Sequence, residues 1–454
     1  MKHIFYIILL SLLTASCQLG KHYTRPDLHI PAVLDSTTTD TTSIADFRWW
    51  ELYTDTTLQR LIRQTLEHNK DMLTAAARLK EMAAMKRIAV AGMFPEIGGK
   101  LYADKDAENY GGDQYKSSPE LTAKFVATWE LDLWGNLRWA KDKSMAQFVQ
   151  AMENRRALQM TLVAQVAQAY FELVALDNEL DIVKQTLHAR QEGVRLARLR
   201  FNGGLTSETA YRQAQVELAR TATLVPDLER SIALKENDIN FLAGRYPEKV
   251  ERSHHPEDIT LPETLPAGLP STLLERRPDV RAAEEALIAA NAEVGMAFTN
   301  LFPHITLTAN YGLESDELNE LFRSPAHFLS ANLLTPLFAM GKNRAALKAK
   351  KAAYEQAVYQ YEKTVLSAFK DARNAMVEFN KIKDIYDSRL KLEQASRKSI
   401  SLAQTQYLNG YISYLDLLDA QRTYLDAQIA LSNAVRDKQI AMVQLYKALG
   451  GGWQ

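Results

Sequence analysis

The sequence has one cysteine in 454 residues, Cys17, so no disulfide can form within the chain. Basic and acidic residues nearly balance, with 54 Lys and Arg against 55 Asp and Glu. This near-neutral charge argues against a nucleic-acid partner, whose phosphates require a basic face. After the first twenty residues, no apolar run approaches the roughly 20 residues that a membrane helix needs. If the chain spans a bilayer, it must do so with strands.

Signals for enzymatic chemistry are also missing. Asn202-Gly203-Gly204 lacks the following Gly-Lys-Ser/Thr of a phosphate-binding loop, and no convincing serine triad is evident. His254-His255 lies in the proline-rich connection from Pro247 to Pro270, with no second ligand pair nearby, so we predict no metal site there. We therefore expect no enzyme activity, no catalytic residue, no cofactor and no bound metal.

The amino terminus predicts a lipoprotein signal. Lys2 precedes an apolar stretch, Ile4 to Leu13, that has signal-peptide length and is too short to span a membrane. Small residues then lead to Cys17, which resembles the bacterial lipobox, where the signal is cut before the cysteine and the cysteine is acylated, for example with palmitate. Thr14 departs from the commoner leucine, and an ordinary secretory signal that contains a cysteine is the alternative. Gln18 replaces the aspartate that retains lipoproteins at the inner membrane, which favours the outer membrane.

The chain repeats itself at a spacing of just over 200 residues, a pattern that indicates duplication. Phe94-Pro95 recurs as Phe302-Pro303, an offset of 302 − 94 = 208 residues. The turn sequence Phe201-Asn202-Gly203-Gly204 recurs as Tyr407-Leu408-Asn409-Gly410, an offset of 407 − 201 = 206 residues. Two further pairs keep the second spacing: Ala214-Gln215 with Ala420-Gln421, and Gly244 with Gly450. Four matches in order predict an internal duplication.

Each repeat is predicted to contain a helix, two short strands and a hairpin of two very long helices. We place the signal peptide at 1–16, an extended lipid-anchored segment at 17–54, the first repeat at 55–244, a connection at 245–270 and the second repeat at 271–454. Apolar and polar residues alternate in segments of about ten, the signature of outer-membrane strands. These segments put strands at about 94–105, 119–131, 302–313 and 326–337. A half-buried strand of a soluble sheet has the same pattern.

The long helices carry apolar residues at alternating steps of four and three, which predicts coiled-coil packing. In the first repeat the stripe runs from Leu162 to Phe201, and only Arg190 interrupts it. In the second repeat it runs from Tyr354 to Tyr386 and resumes from Tyr424 to Ala448. A helix of about sixty residues is roughly 90 Å long. That length suits a structure that crosses a periplasm.

The number of strands predicts an oligomer. Four membrane strands in one chain leave open edges, and each unpaired backbone group in lipid costs several kcal/mol. Two chains supply about eight strands and three supply about twelve. This arithmetic does not decide between two and three, and a channel function favours three.

Five further motifs carry a resemblance to a known family. They are Trp49-Trp50-Glu51-Leu52-Tyr53-Thr54-Asp55, Trp129-Glu130-Leu131-Asp132-Leu133-Trp134-Gly135, Arg277-Pro278-Asp279-Val280-Arg281-Ala282-Ala283-Glu284, Tyr414-Leu415-Asp416-Leu417-Leu418-Asp419-Ala420-Gln421-Arg422 and Leu445-Tyr446-Lys447-Ala448-Leu449-Gly450-Gly451-Gly452-Trp453. In combination, over essentially the whole mature chain, they closely resemble the outer-membrane efflux lipoproteins, the TolC-like outer membrane factors that partner RND pumps.

The resemblance implies a mixed α and β membrane protein that assembles as a homotrimer. In that assembly, long coiled-coil helices form an α-barrel tunnel, an equatorial collar follows, and four strands per chain contribute to a twelve-stranded outer-membrane β-barrel. The resemblance also implies docking to a periplasmic adaptor (membrane fusion) protein and an inner-membrane RND pump. The expected function is passive conduction of drugs or other small molecules to the exterior, as in antibiotic resistance. The expected location is the cell outer membrane, in contact with its lipid, with a large periplasmic portion.

The same resemblance implies a gate at the periplasmic tip, at the start of the last long helix. By that match Leu415 is a hydrophobic ring residue, Asp419 the ring carboxylate and Arg422 its basic neighbour. Asp416 corresponds to a second ring aspartate that only some members have. Asp416 and Asp419 share a helix face, and acidic rings favour cations and can be latched by basic side chains. The alternative is that both acids are solvated residues of a first helical turn, where they suit the helix dipole.

The turns between the long helices are predicted to contact the adaptor, through Asn202, Gly203, Gly204, Asn409 and Gly410. Ordinary helix-hairpin chemistry, with glycine just past a helix end, explains the same residues, and both explanations can hold together. For the whole chain, the alternative function is a lipid-anchored coiled-coil scaffold of the envelope that conducts nothing. The alternating strand segments favour the conduit, because a scaffold does not need them.

Overall fold

The computed structural model of the chain describes residues 18–28, 44–108, 116–252, 274–335 and 340–453. The predicted signal peptide, Cys17 and His254-His255 lie outside the described residues. The main helices are α1 (Trp49–Leu52), α2 (Thr56–His68), α3 (Lys70–Ala91), α4 (Asn136–Asn202), α5 (Glu208–Leu242), α6 (Pro278–Thr299), α7 (Lys342–Leu408) and α8 (Tyr414–Ala448). The strands are β1 (Glu96–Glu108), β2 (Lys116–Leu131), β3 (His304–Ser315) and β4 (Pro325–Leu334).

The lengths of the helices repeat between the two halves of the chain. Helices α4 and α7 have 67 residues each, α5 and α8 have 35 each, and α3 and α6 have 22 each. Helix α7 begins 342 − 136 = 206 residues after α4, which is the spacing of the repeated turn motifs. The internal duplication and the mixed α and β fold class predicted from the sequence are thereby confirmed.

Local sequence explains where these elements end. Helix α3 ends shortly before Phe94-Pro95 and α6 shortly before Phe302-Pro303, because proline has no N–H to continue a helix. Helices α4 and α7 are followed by Gly204 (φ 69°) and Gly410 (φ 80°), in the left-handed region. After each glycine, the next residue donates its N–H to the carbonyl five residues back, at 2.8 and 2.9 Å. This glycine cap satisfies carbonyls at the helix end and turns the chain back.

The four strands form one antiparallel sheet in the order β1-β2-β3-β4. The two repeats meet at its centre, where Phe125 of β2 lies opposite Tyr311 of β3. Because side chains alternate along a strand, this register sorts them onto two faces. One face is apolar, and six of its large side chains are 61–86 % exposed: Ile97, Leu101, Phe125, Tyr311, Leu329 and Leu333.

The opposite face of the sheet is polar. Lys124 Nζ donates to the Glu314 carboxylate at 2.8 Å, and Glu130 Oε1 lies 3.0 Å from His304 Nδ1. An exposed apolar face backed by a polar, ion-paired face is typical of strands that separate lipid from a polar interior. No helix in the described part of the chain has both the length and the apolar character to span a membrane.

Among the described residues, those within 1–28, 77–152 and 282–363 form one compact unit, and those within 29–76, 153–281 and 364–454 form a second. The first unit contains the sheet, and the second contains the hairpin ends of the long helices. Each unit takes segments from both sequence repeats. Corresponding segments of the two repeats therefore pack together, and packing does not follow the order of the chain.

In the second unit, the core follows the apolar stripes of the long helices. Its members are fully or almost fully buried, and they include Leu162, Val166, Leu173, Val183, Val365, Ala368, Ala372 and Phe379. Small alanine side chains at these positions let neighbouring helices approach closely, within the 8–10 Å range that depends on the contacting side chains. The stripes predicted from the sequence are thus the packed seams of the helices.

In the first unit, Trp139 in the first turns of α4 is a central packing residue. It is 3 % exposed, and its Nε1 donates to the Leu19 carbonyl at 2.8 Å. The ring lies against Gly295 of α6, where an added Cβ would meet ring carbons at 2.4 Å. Glycine is needed at position 295 because no larger residue leaves room for this indole.

We predict that Gly295→Ala lowers the free energy of unfolding by about 1–3 kcal/mol, since overpacking forces the indole or the helix to shift. The measurement is the thermal unfolding temperature of the detergent-solubilised protein. Gly193→Ala in α4 is the control, because an added Cβ there meets nothing within 4 Å. It should stabilise the helix by up to about 1 kcal/mol. Equal effects of the two changes would contradict the close contact at Gly295.

Candidate functional site

The candidate site is built around the start of α8, where the predicted gate residues lie. Ser413 precedes the helix as its N-cap, and its hydroxyl accepts from the Asp416 N–H at 3.3 Å. In return, Asp416 Oδ2 accepts from the Ser413 N–H at 2.9 Å and from its hydroxyl at 2.7 Å. This reciprocal capping box satisfies two backbone donors. The hydrogen bonds from the Ser413 hydroxyl and then its N–H also lower the pKa of Asp416.

Asp416 therefore has a structural role that needs no partner chain. Its carboxylate accepts the hydrogen bonds of Ser413 at the helix start, where a negative charge also suits the helix dipole. A Ser-x-x-Asp spacing is readable from sequence, so the capping box is a feature that sequence reasoning missed. A role for Asp416 in a ring of carboxylates stays a prediction.

Leu415, Asp419 and Arg422 lie on one face of α8, because they are separated by steps of four and three residues. Leu415 is 56 % exposed, while the adjacent Leu417 and Leu418 are buried. Asp419 and Arg422 are also exposed residues. The helix thus packs its leucines inward and presents the three predicted gate residues outward, together with Asp416.

Arg422 makes the contact that ties this face to the rest of the unit. Its guanidinium donates to Glu217 Oε1 on α5. Glu217 Oε2 accepts from Arg190 of α4, and Arg190 Nη1 also donates to the main-chain carbonyl of Glu217 at 3.1 Å. The carboxylate is 4 % exposed and the Arg190 side chain 6 %. Three helices are therefore joined by one buried carboxylate held between two guanidinium groups.

The charges of this cluster stabilise one another. Hydrogen bonds from Arg422 and then from Arg190 hold the pKa of Glu217 below its ordinary value, although burial acts in the opposite direction. The pKa of Arg422 is raised, and its hydrogen bond to Glu217 is the largest cause. Removing one partner from a buried ion pair leaves an uncompensated charge and typically costs 3–5 kcal/mol. The cluster is consequently charged at neutral pH and resists separation.

Sequence reasoning found only part of this cluster. Arg422 was predicted from the family resemblance, and Arg190 was visible as the single interruption of an apolar stripe. Glu217 was missed. A charged residue at a core position requires a buried partner of opposite sign, so Arg190 was the signal that could have prompted a search for an acid on α5.

A second set of contacts joins the two hairpin ends. Arg200, in the last turn of α4, lies 4.9 Å from the ring of Tyr407 in α7, and its Nη1 is 3.4 Å from the carbonyl oxygens of Tyr407 and Leu408. Tyr407 packs edge-to-face on Tyr414 of α8, with ring centroids 5.7 Å apart. Burial raises the pKa of Tyr414 to about 12. The end of α4 therefore caps the end of α7.

The predicted tip residues lie in the two turns themselves. The Gly203 N–H donates to the Leu199 carbonyl at 3.0 Å, and Asn409 Nδ2 donates to the Thr405 carbonyl at 2.8 Å. Each turn also presents a large apolar side chain directly after its left-handed glycine: Leu205 is 72 % exposed and Tyr411 is 81 % exposed. These two side chains occupy matching positions of the repeats and were not singled out from the sequence.

The residues directly after Cys17 are bound in the first unit. Gln18 Nε2 donates to Asp142 Oδ2 at 3.0 Å, and the Leu19 N–H donates to the Trp134 carbonyl at 3.0 Å. Trp134 Nε1 donates in turn to the Pro303 carbonyl at 2.7 Å, one residue before β3. The segment that follows Cys17 is thus held beside the ends of β2 and β3.

No group of three or more His, Cys, Asp or Glu suited to a metal ion occurs among the described residues.

Comparison with known proteins places this chain in a family. A sequence profile described as outer membrane efflux protein matches residues 61–245 and 269–451. The chain is 28 % identical to the cation efflux system protein CusC of Escherichia coli O6:H1 over 450 residues, covering 98 % of this chain and 97 % of that protein. The two matched segments of the profile correspond to the two halves of the duplication.

Solved structures agree with this assignment. The outer-membrane channel OprN superposes with a TM-score of 0.90 at 30 % identity, covering 96 % of this chain and all of that one. The open state of the Neisseria gonorrhoeae MtrE outer membrane channel superposes with a TM-score of 0.85 at 28 % identity, covering 96 % and 99 %. These relatives are efflux proteins and channels, which favours the conduit over the envelope scaffold. The chain therefore belongs to the outer membrane efflux protein family and serves as an outer-membrane exit duct for efflux.

Proposed function

We propose that three copies of this chain form the outer-membrane duct of a tripartite efflux system, supplied by a periplasmic adaptor and an inner-membrane RND pump. Among the described residues, β1 and β4 each pair with one neighbouring strand only. Their outer edges carry backbone groups that lipid cannot satisfy, so neighbouring copies must complete the sheet. Three copies supply twelve strands, enough to leave a lumen.

The observation that carries the gate proposal is the bond from Arg422 to Glu217. It connects the exposed face of α8, with Leu415 and Asp419, to the α4–α5 hairpin of the same chain. In a threefold assembly this face surrounds the axis at the periplasmic end, where Leu415, Asp416 and Asp419 narrow the passage. The contact with Glu217 holds α8 in the closed position, and opening requires Arg422 to leave that carboxylate.

The hairpin ends are proposed as the contact for the adaptor. Asn202, Gly203 and Gly204 in one turn, and Asn409 and Gly410 in the other, present the exposed Leu205 and Tyr411. Large apolar side chains exposed in two joined turns are unfavourable in water and suit a docking surface. Because Arg200 joins the two ends, both turns move together when a partner binds.

Cys17 is proposed as the acylated residue that anchors the chain in the outer membrane. The segment that follows it is fastened beside the ends of the strands through Gln18 and Leu19. An acyl chain contributes about 0.8 kcal/mol per buried CH2, and more than one chain gives stable anchoring. The proposed anchor and the sheet are therefore close enough together to enter the same membrane.

The duct function is tested with purified full-length protein in planar lipid bilayers. We expect a detergent-stable trimer that is dissociated by heat and that conducts ions in discrete steps. A scaffold would give no conductance. Cys17→Ala protein should still require detergent, because the exposed apolar face of the sheet persists, and a variant that stays soluble without detergent would rule out membrane strands.

The proposed latch is tested by Arg422→Gln, which releases α8 while leaving Glu217 paired with Arg190. We expect a larger single-channel conductance or a higher open probability than for the wild type. Arg436→Gln is the matched control, because Arg436 lies on the same helix and pairs with the adjacent Asp437 of α8. If Arg422→Gln and Arg436→Gln conduct like the wild type, Arg422 is not part of a gate.

The proposed ring carboxylate is tested by Asp419→Ala. Removing three negative charges from one constriction should loosen the closed tip and reduce the preference for cations over anions. The measurements are single-channel conductance and reversal potential under a salt gradient. Asp227→Asn serves as control, since Asp227 is an exposed residue of α5 that faces Arg230 of its own helix. An unchanged conductance and reversal potential would count against the ring assignment.

A further inference from the structure

The start of α7 carries an unusual concentration of positive charge. Its first thirteen residues include five basic residues and no acidic one, and the first acid is Glu355. Cations near a helix N-terminus are unfavourable, because the helix dipole is positive there. A sequence that breaks a local rule without local compensation usually does so for function. The basic residues of this segment are Lys342, Arg344, Lys348, Lys350 and Lys351.

Three of these residues form a stripe that points away from the protein. Arg344, Lys348 and Lys351 follow steps of four and three, so they share one face of α7, and all three are exposed. A different side of the helix faces α6: Lys350 Nζ donates to Glu293 at 2.5 Å, and Asn343 Nδ2 donates to the Asn300 carbonyl at 3.2 Å. Within the part of the chain that the structure describes, no ion pair is formed by the three stripe residues.

The stripe lies directly after the exposed apolar end of the sheet. Leu333 and Leu334, the last residues of β4, are 61 % and 70 % exposed, and Met340 is 86 % exposed. Basic residues then begin at the first residue of α7. At 1.5 Å per residue, Arg344 and Lys351 lie about 3 and 14 Å along the helix axis from its start. An apolar segment followed at once by basic side chains is the order expected where a chain leaves the hydrocarbon and enters the lipid headgroup layer.

The duplication provides an internal comparison for this stripe. The positions 206 residues earlier are Arg138, Asp142 and Met145 in α4. There, Arg138 is bound to Asp132, and Asp142 accepts from Gln18, so the segment that follows the proposed acylation site covers part of this face, while Met145 is 46 % exposed. In α7 the matching face is uncovered by any described segment, and Asp142 and Met145 are replaced by lysines.

We propose that Arg344, Lys348 and Lys351 bind the phosphate groups of anionic phospholipids in the periplasmic leaflet of the outer membrane. In the first repeat the equivalent face is partly occupied by the segment leading to the proposed lipid anchor, and in the second repeat the protein contacts the leaflet through charge. The proposal rests on the proposed placement of the sheet in the membrane. Juxtamembrane Lys and Arg residues attract anionic leaflets in this way.

The test uses the full-length, detergent-solubilised protein and the variant R344Q/K348Q/K351Q. Each protein is titrated with dioctanoyl phosphatidylglycerol and with dioctanoyl phosphatidylethanolamine, and lipid retention is measured by native mass spectrometry. We expect the wild type to prefer phosphatidylglycerol and the variant to bind it on the order of 100-fold more weakly, about fivefold for each charge removed. Raising the salt concentration should weaken the wild-type interaction, because salt screens exposed charges.

The control variant, K363Q/K391Q/K398Q, removes the same charge from exposed positions of the same helix. It should retain wild-type affinity for phosphatidylglycerol. Unchanged lipid affinity of the stripe variant, an equal loss in the control variant, or competition by glycerol phosphate at the same concentration as the lipid overturns the proposal. Loss of the trimer in the stripe variant also overturns it, because the stripe is then a contact between copies.

Failure of this proposal is distinguishable from failure of the duct. Wild-type conductance is recorded in bilayers of neutral phosphatidylcholine, where no anionic headgroup is present. A wild-type protein that conducts but binds both lipids equally contradicts only the lipid proposal. A protein that never conducts contradicts the duct, whatever its lipid preference.

Discussion

Burial of a narrow, alanine-containing seam between very long helices is the interaction on which the rest of this structure depends. A stripe at steps of four and three covers roughly one side of a helix, so each long helix requires a neighbour wherever its stripe runs. Ala368 and Ala372 of α7 are fully buried in such a seam. The seam runs through the packed part of the 67- and 35-residue helices in both repeats, and in the first repeat Arg190 interrupts it. The hairpin ends, and the gate proposed at one of them, are placed by that packing.

The two repeats share this seam but differ where charge is buried. Arg190 interrupts the seam of α4 and is neutralised by Glu217 of α5, which also accepts from Arg422 of α8. The positions 206 residues after Arg190 and Glu217 are Ser396 and Thr423. Ser396 is buried, and its hydroxyl donates to the Leu392 carbonyl of its own helix at 2.7 Å. The second hairpin therefore has no equivalent ionic cluster at these positions. The buried carboxylate that ties one repeat to the other belongs to the first hairpin and binds Arg422 of the second.

The repeats also differ in the first unit, which contains the sheet. In the first repeat, Trp139 packs on Gly295 and bonds to Leu19, so the early turns of α4 are covered by the segment following Cys17. In the second repeat, Ala345 stands at the position of Trp139, and basic side chains are exposed beside it. With alanine in place of the aromatic residue and with exposed basic side chains nearby, the start of α7 can make different contacts from the start of α4. The same backbone plan thus supports an intramolecular contact in one repeat and, in our proposal, a lipid contact in the other.

The sequence by itself determined the features that depend on local periodicity. Residues separated by three, four or two positions lie on one face of a helix or strand whatever the rest of the fold does, so the long helices and the apolar face of the sheet were predictable. The duplication was predictable from motifs that recur at one spacing. The turns at Gly204 and Gly410 were predictable because glycine just past a helix end readily adopts the left-handed conformation. The partner of Arg422 was not, because Glu217 lies 205 residues away and their contact depends on the relative register of two helices. The capping of α8 by Ser413 and Asp416 is local and readable from the sequence. Only the tertiary structure decided that Arg422 binds a buried carboxylate, since such a contact is set by packing across helices.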